Sequence, residues 1–428
     1  MSGAPVGATT MHLAPVVLPM VGRPLLDAGV VVAGERIAAV ASRADLLAEF
    51  PQARVREWPG VMIPGLVNAH AHLEYGPPFA DLATSGLAFA QWIQQMAGRR
   101  RGMTDADWLA AARGSVADLL RTGTTCVGDV VTIGPGTQAA ARAALAGVSY
   151  LEVVGCDEAG WPAERARVLA RMESAPSGRA LGLSPHALYS ISGPVVTATV
   201  ALARERGWRL HTHLAESVEE AEYVRSGGGA IGEALQRIGL AHDLLGSGAG
   251  VSPAVHLDGL GGLGTDVHVA HGVHLDAADR ARLRDRGTAV ALCARSNQIL
   301  AAGEPPVAAL LAEGSPIAVG TDSLASSPSL DLLAELTVLH DLARAQGYDG
   351  GDLGERLVSA ATIGGAAALG LADECGALVV GRRADLAVFD LPTDSPYDAL
   401  VRSGAGRCVA TVVAGRIVHR RAPLGSAA

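Results

Sequence analysis

Residues 61–74 read Val-Met-Ile-Pro-Gly-Leu-Val-Asn-Ala-His-Ala-His-Leu-Glu, an apolar run that leads directly into His70 and His72. Side chains two residues apart on an extended strand point to the same side. Such a pair suits metal ligation better than a lone histidine, which is more often a packed residue. This segment therefore predicts a buried strand over residues 61–68 with a metal site at its end.

On either side of this segment, short apolar runs alternate with helical stretches over residues 59–372. Eight strands are predicted, at residues 61–68, 124–130, 148–154, 180–185, 209–213, 266–271, 288–293 and 316–320. Eight strand–helix units favour an α/β fold, a closed parallel (β/α)8 TIM-type barrel. A doubly wound open sheet is the alternative, but no GxGxxG follows the first strand.

The two chain ends share a different pattern. Residues 13–58 and 376–421 contain short Val, Ala, Leu and Ile runs separated by glycines, which predict strands joined by tight turns. We expect both ends to combine into one small β-sandwich domain. The predicted division is therefore residues 1–58 and 373–428 for the two parts of this domain, and residues 59–372 for the barrel.

Composition excludes several classes of function. The net charge of −9, with no basic block, gives nucleic-acid binding little support. The chain has no lysine, which excludes a Schiff-base lysine, a P-loop lysine and a carbamylated lysine between two metals. The five cysteines are far apart and predict neither a thiolate zinc site nor a disulfide framework. Because no signal peptide or membrane span is indicated, we expect a cytoplasmic protein with a small-molecule substrate.

The fifth predicted strand ends in His211-Thr-His213-Leu-Ala-Glu216. Active sites of such barrels lie at the carboxyl ends of the strands, so His213 is the better ligand and His211 is expected one layer deeper. Glu216 lies where the strand gives way to a loop, which suits a proton shuttle. Capping of the next helix is the alternative role for this carboxylate.

The sixth and eighth strands each add one candidate. His271 lies at the tip of the sixth strand, whereas His268 belongs to the strand body and His274 to the following turn. Asp322 follows the buried apolar run of the eighth strand. A buried carboxylate there needs a metal or a tight hydrogen-bond network.

Three imidazoles and one carboxylate make the ligand set of an open catalytic site for one divalent ion, here His70, His72, His213 and Asp322. Zinc is the default ion, and iron or manganese suits the same donors. Asp322 would accept a proton from the activated water, Glu216 would donate one to the substrate, and His271 would polarise the tetrahedral centre.

These motifs resemble the amidohydrolase superfamily, above all its mononuclear aminohydrolases, which include guanine, cytosine and S-adenosylhomocysteine deaminases and triazine hydrolases. The matching segments cover nearly the whole chain, at residues 64–72, 123–126, 211–216, 270–275, 293–297, 320–323 and 381–388. The resemblance implies the same four ligands, with Glu216 and His271 catalytic beside the proton-accepting Asp322 expected above. It also implies a side domain built from the terminal β segments, and it favours a homodimer.

Fewer residues of the sequence indicate which substrate the protein binds. The resemblance implies that His186, at the end of the fourth strand, faces the substrate, with a plain strand-end hydrogen bond as the alternative. His-Leu-Glu-Tyr at 72–75 and Phe-Ala-Gln-Trp-Ile at 89–93 resemble the aminodeoxyfutalosine deaminases of menaquinone synthesis. This implies that Glu74 and Trp92 bind substrate and that Arg99, Arg100 or Arg295 meets a benzoate.

The leading interpretation is hydrolytic deamination of a purine nucleoside-like or other heteroaromatic amine, most specifically 6-aminodeoxyfutalosine. An amidase, a cyclic imidate hydrolase or a chlorohydrolase would use the same metal site on a different bond. A non-catalytic metal- or ligand-binding barrel would lack Glu216, His271 or Asp322, and all three are present. Nucleic-acid-editing zinc deaminases need a PCxxC cluster, which the chain does not contain.

Overall fold

The computed structural model describes residues 9–86, 89–239 and 242–421, so the outermost parts of both predicted terminal segments, residues 1–8 and 422–428, lie outside it. Its strands are β1 (Thr10–Val17), β2 (Leu25–Ala33), β3 (Arg36–Ser42), β4 (Arg54–Glu57), β5 (Val61–Pro64), β6 (Leu66–Ala71), β7 (Thr124–Val131), β8 (Ala146–Val153), β9 (Ala180–Pro185), β10 (Arg209–Leu214), β11 (Val267–His271), β12 (Ala289–Leu292), β13 (Ile317–Val319), β14 (Leu386–Phe389), β15 (Cys408–Val413) and β16 (Arg416–Arg420).

The helices separate most of the barrel strands. They are α1 (Arg43–Glu49), α2 (Phe89–Arg100), α3 (Asp105–Arg121), α4 (Pro135–Arg142), α5 (Trp161–Glu173), α6 (Gly193–Glu205), α7 (Val218–Ser226), α8 (Gly229–Ile238), α9 (Pro253–Gly259), α10 (Ala277–Arg286), α11 (Ala294–Ile299), α12 (Val307–Ala312), α13 (Leu332–Ala345), α14 (Leu353–Ser359), α15 (Gly365–Ala368) and α16 (Pro396–Ser403). A 3-10 helix spans Pro77–Thr84, and a π-helical turn spans Ala360–Gly364. Among these helices, none has the length and apolar character that a membrane span requires.

The eight strands β6 to β13 form the predicted barrel. They pair in chain order, and each pair is parallel. The ring closes between β13 and β6, where the backbone N–H groups of Thr321 and Asp322 both donate to the carbonyl of His70 at 3.1 Å. The Asn68 side chain donates to the Thr321 hydroxyl at 2.7 Å and ties the same two strands together. The (β/α)8 TIM-type barrel is therefore confirmed.

The predicted strand over residues 61–68 is in fact two strands in two different sheets. β5 pairs with β1 and β14 in the terminal sheet, whereas β6 opens the barrel. The chain crosses at Gly65, whose N–H donates to Asp385, while the next residue, Leu66, donates to Gly123. Only glycine fits there, because a Cβ would lie 2.1 Å from the Thr125 hydroxyl oxygen.

The chain ends build one curled sheet in the order β16-β15-β14-β5-β1-β2-β3, with β4 added to β1. Side chains of β1, β2, β5, β14 and β15 share a single apolar cluster. Two hairpins of this sheet meet where a Cβ on Gly415 would lie 2.1 Å from the Gly34 carbonyl. The joint β domain of both ends is thus confirmed. The division at residues 58 and 372 stays a prediction, and β5 shows that the terminal sheet also uses residues 61–64.

Candidate active site

Four predicted ligands converge at the carboxyl ends of β6, β10 and β13. The ligand atoms of His70, His72 and Asp322 all lie within 4.8 Å of one another. Asp322 Oδ1 is 3.7 Å from the Nε2 atoms of both histidines. His213 completes the group, because its Nε2 lies 3.2 Å from Nε2 of His72. Residues far apart in sequence therefore face one point at the mouth of the barrel.

Unusual backbone geometry places several of these side chains. Three residues at the ends of barrel strands adopt the left-handed conformation: His271 (φ 73°), the last residue of β11, Ala215 (φ 52°), directly after β10, and Asp322 (φ 59°), three residues beyond β13. Non-glycine residues seldom occupy this region, at a cost of about 1–3 kcal/mol each, and they cluster at functional sites. The left-handed turns direct the side chains of His271 and Asp322, and the chain before Glu216, toward the barrel mouth.

Outer contacts orient the ligand atoms. His213 Nδ1 donates to the carbonyl of His186 at 2.9 Å, which leaves Nε2 of His213 with a free lone pair. Hydroxyls of Ser296 and Ser326 each donate to Oδ2 of Asp322 at 2.8 Å and leave Oδ1 to face the histidines. Such supporting hydrogen bonds are typical of metal ligands.

The donor set fits a divalent cation. Both ring nitrogens of His70 are buried and have no hydrogen-bond partner among the described residues. Orphaned, converging imidazole nitrogens beside a carboxylate oxygen are costly without an ion and are the donors that zinc, iron or manganese prefer. The His70 ring is held in place by stacking on His211 at a centroid distance of 4.8 Å. The cluster can therefore bind a metal.

The electrostatics keep these ligands in their metal-binding forms. Burial lowers the pKa of His72 to about 3 and that of His213 to about 4, so both imidazoles are neutral near pH 7. For Asp322, burial acts to raise the pKa. The histidines His72 and His271 and the two serine hydroxyls outweigh that effect and hold the pKa below its usual range.

Glu216 and His271 face each other beside this cluster, with 3.6 Å between Glu216 Oε1 and His271 Nε2. Burial is the main cause that raises the pKa of Glu216 to about 7, the range suited to a proton shuttle. Glu220, which the sequence interpretation missed, accepts hydrogen bonds from the N–H groups of Ala215 and Glu216 at 3.0 and 2.8 Å. It fixes the turn that presents Glu216.

The cluster opens into a cavity of about 270 Å³. Trp92 and His186, both predicted to bind substrate, line it. The Trp92 indole N–H donates to the Ala325 carbonyl at 2.9 Å. Arg100 also lines the cavity and lies over the Tyr75 ring at 5.8 Å.

The predicted contact of Glu74 with substrate is wrong, because its carboxylate is fully engaged elsewhere. Its two oxygens accept backbone N–H groups of Thr132, Ile133, Gly134 and Gly136 at 3.1, 2.8, 2.5 and 3.1 Å. The side chain is buried beneath the loop after β7, and the cavity lining does not include it. Glu74 therefore anchors that loop.

The other histidines and arginines considered from sequence lie outside the cavity. His211 contacts the Ser184 hydroxyl at 3.1 Å, which confirms the deeper, packed position. His268 contacts the Ala69 carbonyl, and His274 contacts the Ala302 carbonyl. Arg99 pairs with Asp81, and Arg295 lies against Ser329 and Glu335, so neither reaches the site.

A family model described as the amidohydrolase family matches residues 61–418, most of the chain. A second model, the imidazolonepropionase-like composite domain of bacteria, matches residues 28–53. The chain belongs to the amidohydrolase family.

Relatives of this amidohydrolase carry deaminase names. The 5-methylthioadenosine/S-adenosylhomocysteine deaminase of Syntrophobacter fumaroxidans is 32% identical over 415 residues, covering 93% of this chain and 89% of that one. The aminodeoxyfutalosine deaminase of Deinococcus radiodurans is 33% identical over 353 residues, covering 80% and 81%. This amidohydrolase is a hydrolase that acts on carbon–nitrogen bonds.

Solved structures agree with the fold of this amidohydrolase. A zinc-bound adenosine deaminase from Xanthomonas campestris superposes with a TM-score of 0.81 at 24% identity, covering 99% of this chain and 96% of that one. The aminofutalosine deaminase of Helicobacter pylori with methylthio-coformycin gives 0.81 at 21% identity, covering 96% and 100%.

Proposed function

We propose that this amidohydrolase is a hydrolytic deaminase that uses one divalent ion and acts on a purine nucleoside-like or other heteroaromatic amine. One observation carries the proposal. His70, His72, His213 and Asp322 converge on one point, while Glu216 and His271 face the same cavity. The names of the relatives support deamination as the reaction.

The proposed mechanism assigns one step to each side chain. When bound by the four ligands, a divalent ion supplies Lewis acidity that lowers the pKa of water from 15.7 to about 7. Asp322, whose carboxylate is oriented by the hydroxyls of Ser296 and Ser326, accepts a proton from the attacking water. Glu216 donates a proton to the ring nitrogen beside the attacked carbon. The proton held by Asp322 then passes to the amino group, so the carbon–nitrogen bond breaks with release of ammonia, and the proton of the new hydroxyl returns to Glu216. His271 stabilises the charge that develops at the tetrahedral carbon.

Zinc is the proposed ion, because the N/O donor set suits it and the similar Xanthomonas structure contains it. Iron and manganese remain the alternatives for the same donors. A homodimer and a cytoplasmic location also remain predictions, and gel filtration with light scattering tests the first.

As the specific substrate we propose 6-aminodeoxyfutalosine. The Deinococcus relative carries the corresponding name. Trp92 of the Phe-Ala-Gln-Trp-Ile motif lines the cavity, as the resemblance implied. Arg100 on the same helix offers a guanidinium at the cavity wall that can pair with a carboxylate such as a benzoate.

The test is an ammonia-release screen with the zinc-loaded protein. The panel contains 6-aminodeoxyfutalosine, adenosine, S-adenosylhomocysteine and guanine, with a chlorotriazine monitored for chloride and a cyclic imide for ring opening. We expect ammonia from at least one amine, and Glu216→Gln should retain the metal yet lose turnover by about a hundredfold or more. Chloride release or ring opening without ammonia would overturn deamination.

A further inference from the structure

The cavity contains a buried carboxylate to which nothing above assigns a role, namely Glu152. It lies at the end of β8 and is only 4% exposed. Its Oε2 atom accepts the Thr132 hydroxyl at 2.7 Å. Its Oε1 atom is buried and has no hydrogen-bond partner among the described residues. A buried acceptor without a donor is costly, so Oε1 is an open acceptor that a donor group on a bound molecule can satisfy.

The nearby cations do not supply that donor. Arg167 binds the backbone carbonyl of Glu152 at 3.0 Å and the Glu164 carboxylate at 2.8 Å, so its guanidinium is committed elsewhere. The nearest nitrogen of His186 to Oε1 is Nε2, at 3.9 Å, beyond hydrogen-bond distance. The gap between Oε1 and Nε2 therefore faces the cavity as a place for a ligand atom.

The hydrogen bonds of His186 define which ring nitrogen carries its proton. The Ser190 hydroxyl donates its only hydrogen to the Ala187 carbonyl at 3.0 Å. With that hydrogen engaged, we assign the 2.8 Å contact between His186 Nδ1 and the same hydroxyl oxygen as a donation from Nδ1–H. In the neutral imidazole, Nε2 is then an acceptor. Glu152 Oε1 and His186 Nε2 thus present two acceptors to the same space.

We propose that Glu152 and His186 form an acceptor pair that binds a hydrogen-bond donor of the substrate, an O–H or N–H group next to the reacting ring. The inference rests on the proposed function and refines its substrate class. The ligand nitrogens of His186 and His213 and a Glu152 oxygen all lie within 4.8 Å of one another, so the donor sits beside the metal ligands. A sugar hydroxyl and a ring N–H of a free base both carry this chemistry.

The test measures binding, so it does not depend on turnover. Four probes without an exocyclic amine are titrated into the zinc-loaded protein by calorimetry: purine riboside, its 2′,3′-dideoxy analogue, purine and 9-methylpurine. The first pair differs in sugar hydroxyls and the second in a ring N–H. Glu152→Gln places an amide donor at Oε1, because the Thr132 hydroxyl keeps the amide oxygen at the Oε2 position. Glu173→Gln, on the exposed end of α5, is the matched control.

We expect Glu152→Gln to weaken the donor-bearing member of one pair by roughly ten- to a hundredfold, the usual worth of a hydrogen bond to a charged group. The donor-free member of that pair should change less than twofold. A selective loss of affinity for purine riboside identifies the bound donor as a sugar hydroxyl. A selective loss of affinity for purine identifies it as a ring N–H. Glu152→Met, which keeps the volume but removes both acceptor oxygens, should show the same selective loss and serves as a second variant.

Equal losses within both pairs, unchanged dissociation constants, or no binding of any probe to the wild-type protein would overturn the acceptor pair. Ammonia release is scored separately. If Glu152→Gln selectively weakens binding of the donor-bearing probe but no amine releases ammonia, the proposed deaminase activity is refuted and the acceptor pair is supported.

Discussion

Replacing Glu74 by glutamine should destabilise the protein strongly, although the change removes only a charge. Both carboxylate oxygens accept two backbone N–H groups each from the loop at residues 132–136. A glutamine amide keeps one acceptor oxygen and turns an NH₂ group toward two N–H donors. Two hydrogen bonds to a charged group are lost, at about 1.5–3 kcal/mol each, so unfolding should become easier by about 3–6 kcal/mol.

Urea unfolding and amide hydrogen exchange measure this effect together. In the wild type, the amides of the loop should exchange slowly, whereas in Glu74→Gln they should open without global unfolding. Glu49→Gln, on an exposed helix position, is the matched control and should leave both readouts unchanged. If Glu74→Gln unfolds at the same urea concentration as Glu49→Gln, the carboxylate does not anchor the loop and the reasoning is refuted.

Gly320→Ala should weaken zinc binding in calorimetry, because the new Cβ would lie 2.7 Å from the Cβ of His70 and displace that ligand; unchanged affinity would contradict the close packing at the barrel seam. Zinc at a hundredfold above its Kd should raise the unfolding free energy of the wild type by about 2.7 kcal/mol, whereas Asp322→Asn should gain much less in the same titration. His12→Gln should flatten the pH dependence of stability. Burial lowers the pKa of His12 to about 4 in the folded chain, against 6.5 when unfolded, so its contribution is complete above pH 6.5 and is lost as the pH falls toward 4. The wild type should therefore lose up to about 3 kcal/mol of unfolding free energy over this pH range. His12→Gln should not show this loss, and its side chain can still accept the Trp58 indole N–H. Equal loss of stability at low pH in both proteins, measured by urea titration, would refute the prediction.

The barrel and the convergence of the proposed ligands at its mouth could be predicted from sequence, because the candidate residues lie at the ends of the strands themselves. The spacing of His70 and His72 places both side chains on one face of a strand. Asp322 follows a buried apolar run, where a carboxylate indicates a metal or a hydrogen-bond network. Each interpretation needs only residues that are neighbours in the chain, together with the rule that parallel strands end at one rim.

The errors and omissions concern contacts between distant segments. The resemblance of residues 72–75 to aminodeoxyfutalosine deaminases assigns Glu74 to the substrate, yet its partners come from the loop after the next barrel strand. Glu152 ends a strand like the other candidates, but its apolar surroundings in sequence, Leu151 and Val153, gave no sign that it faces the cavity. The sequence predicts one continuous strand through Gly65. The chain passes from the terminal sheet to the barrel at this residue, and the packing of Thr125 against it is visible only in the structure.

The proposed metal ligands lie on both sides of the seam where β13 meets β6, and this arrangement has a consequence for biosynthesis. His70 and His72 emerge from the ribosome early, whereas Asp322 emerges only after all eight barrel strands have been made. We therefore expect a nascent chain to hold two of the four proposed ligands until His213 is made, and three until Asp322 is made. With these four residues as ligands, the complete set would form only after β13 has joined β6, so we expect a metal-loaded molecule to be one whose barrel is already closed.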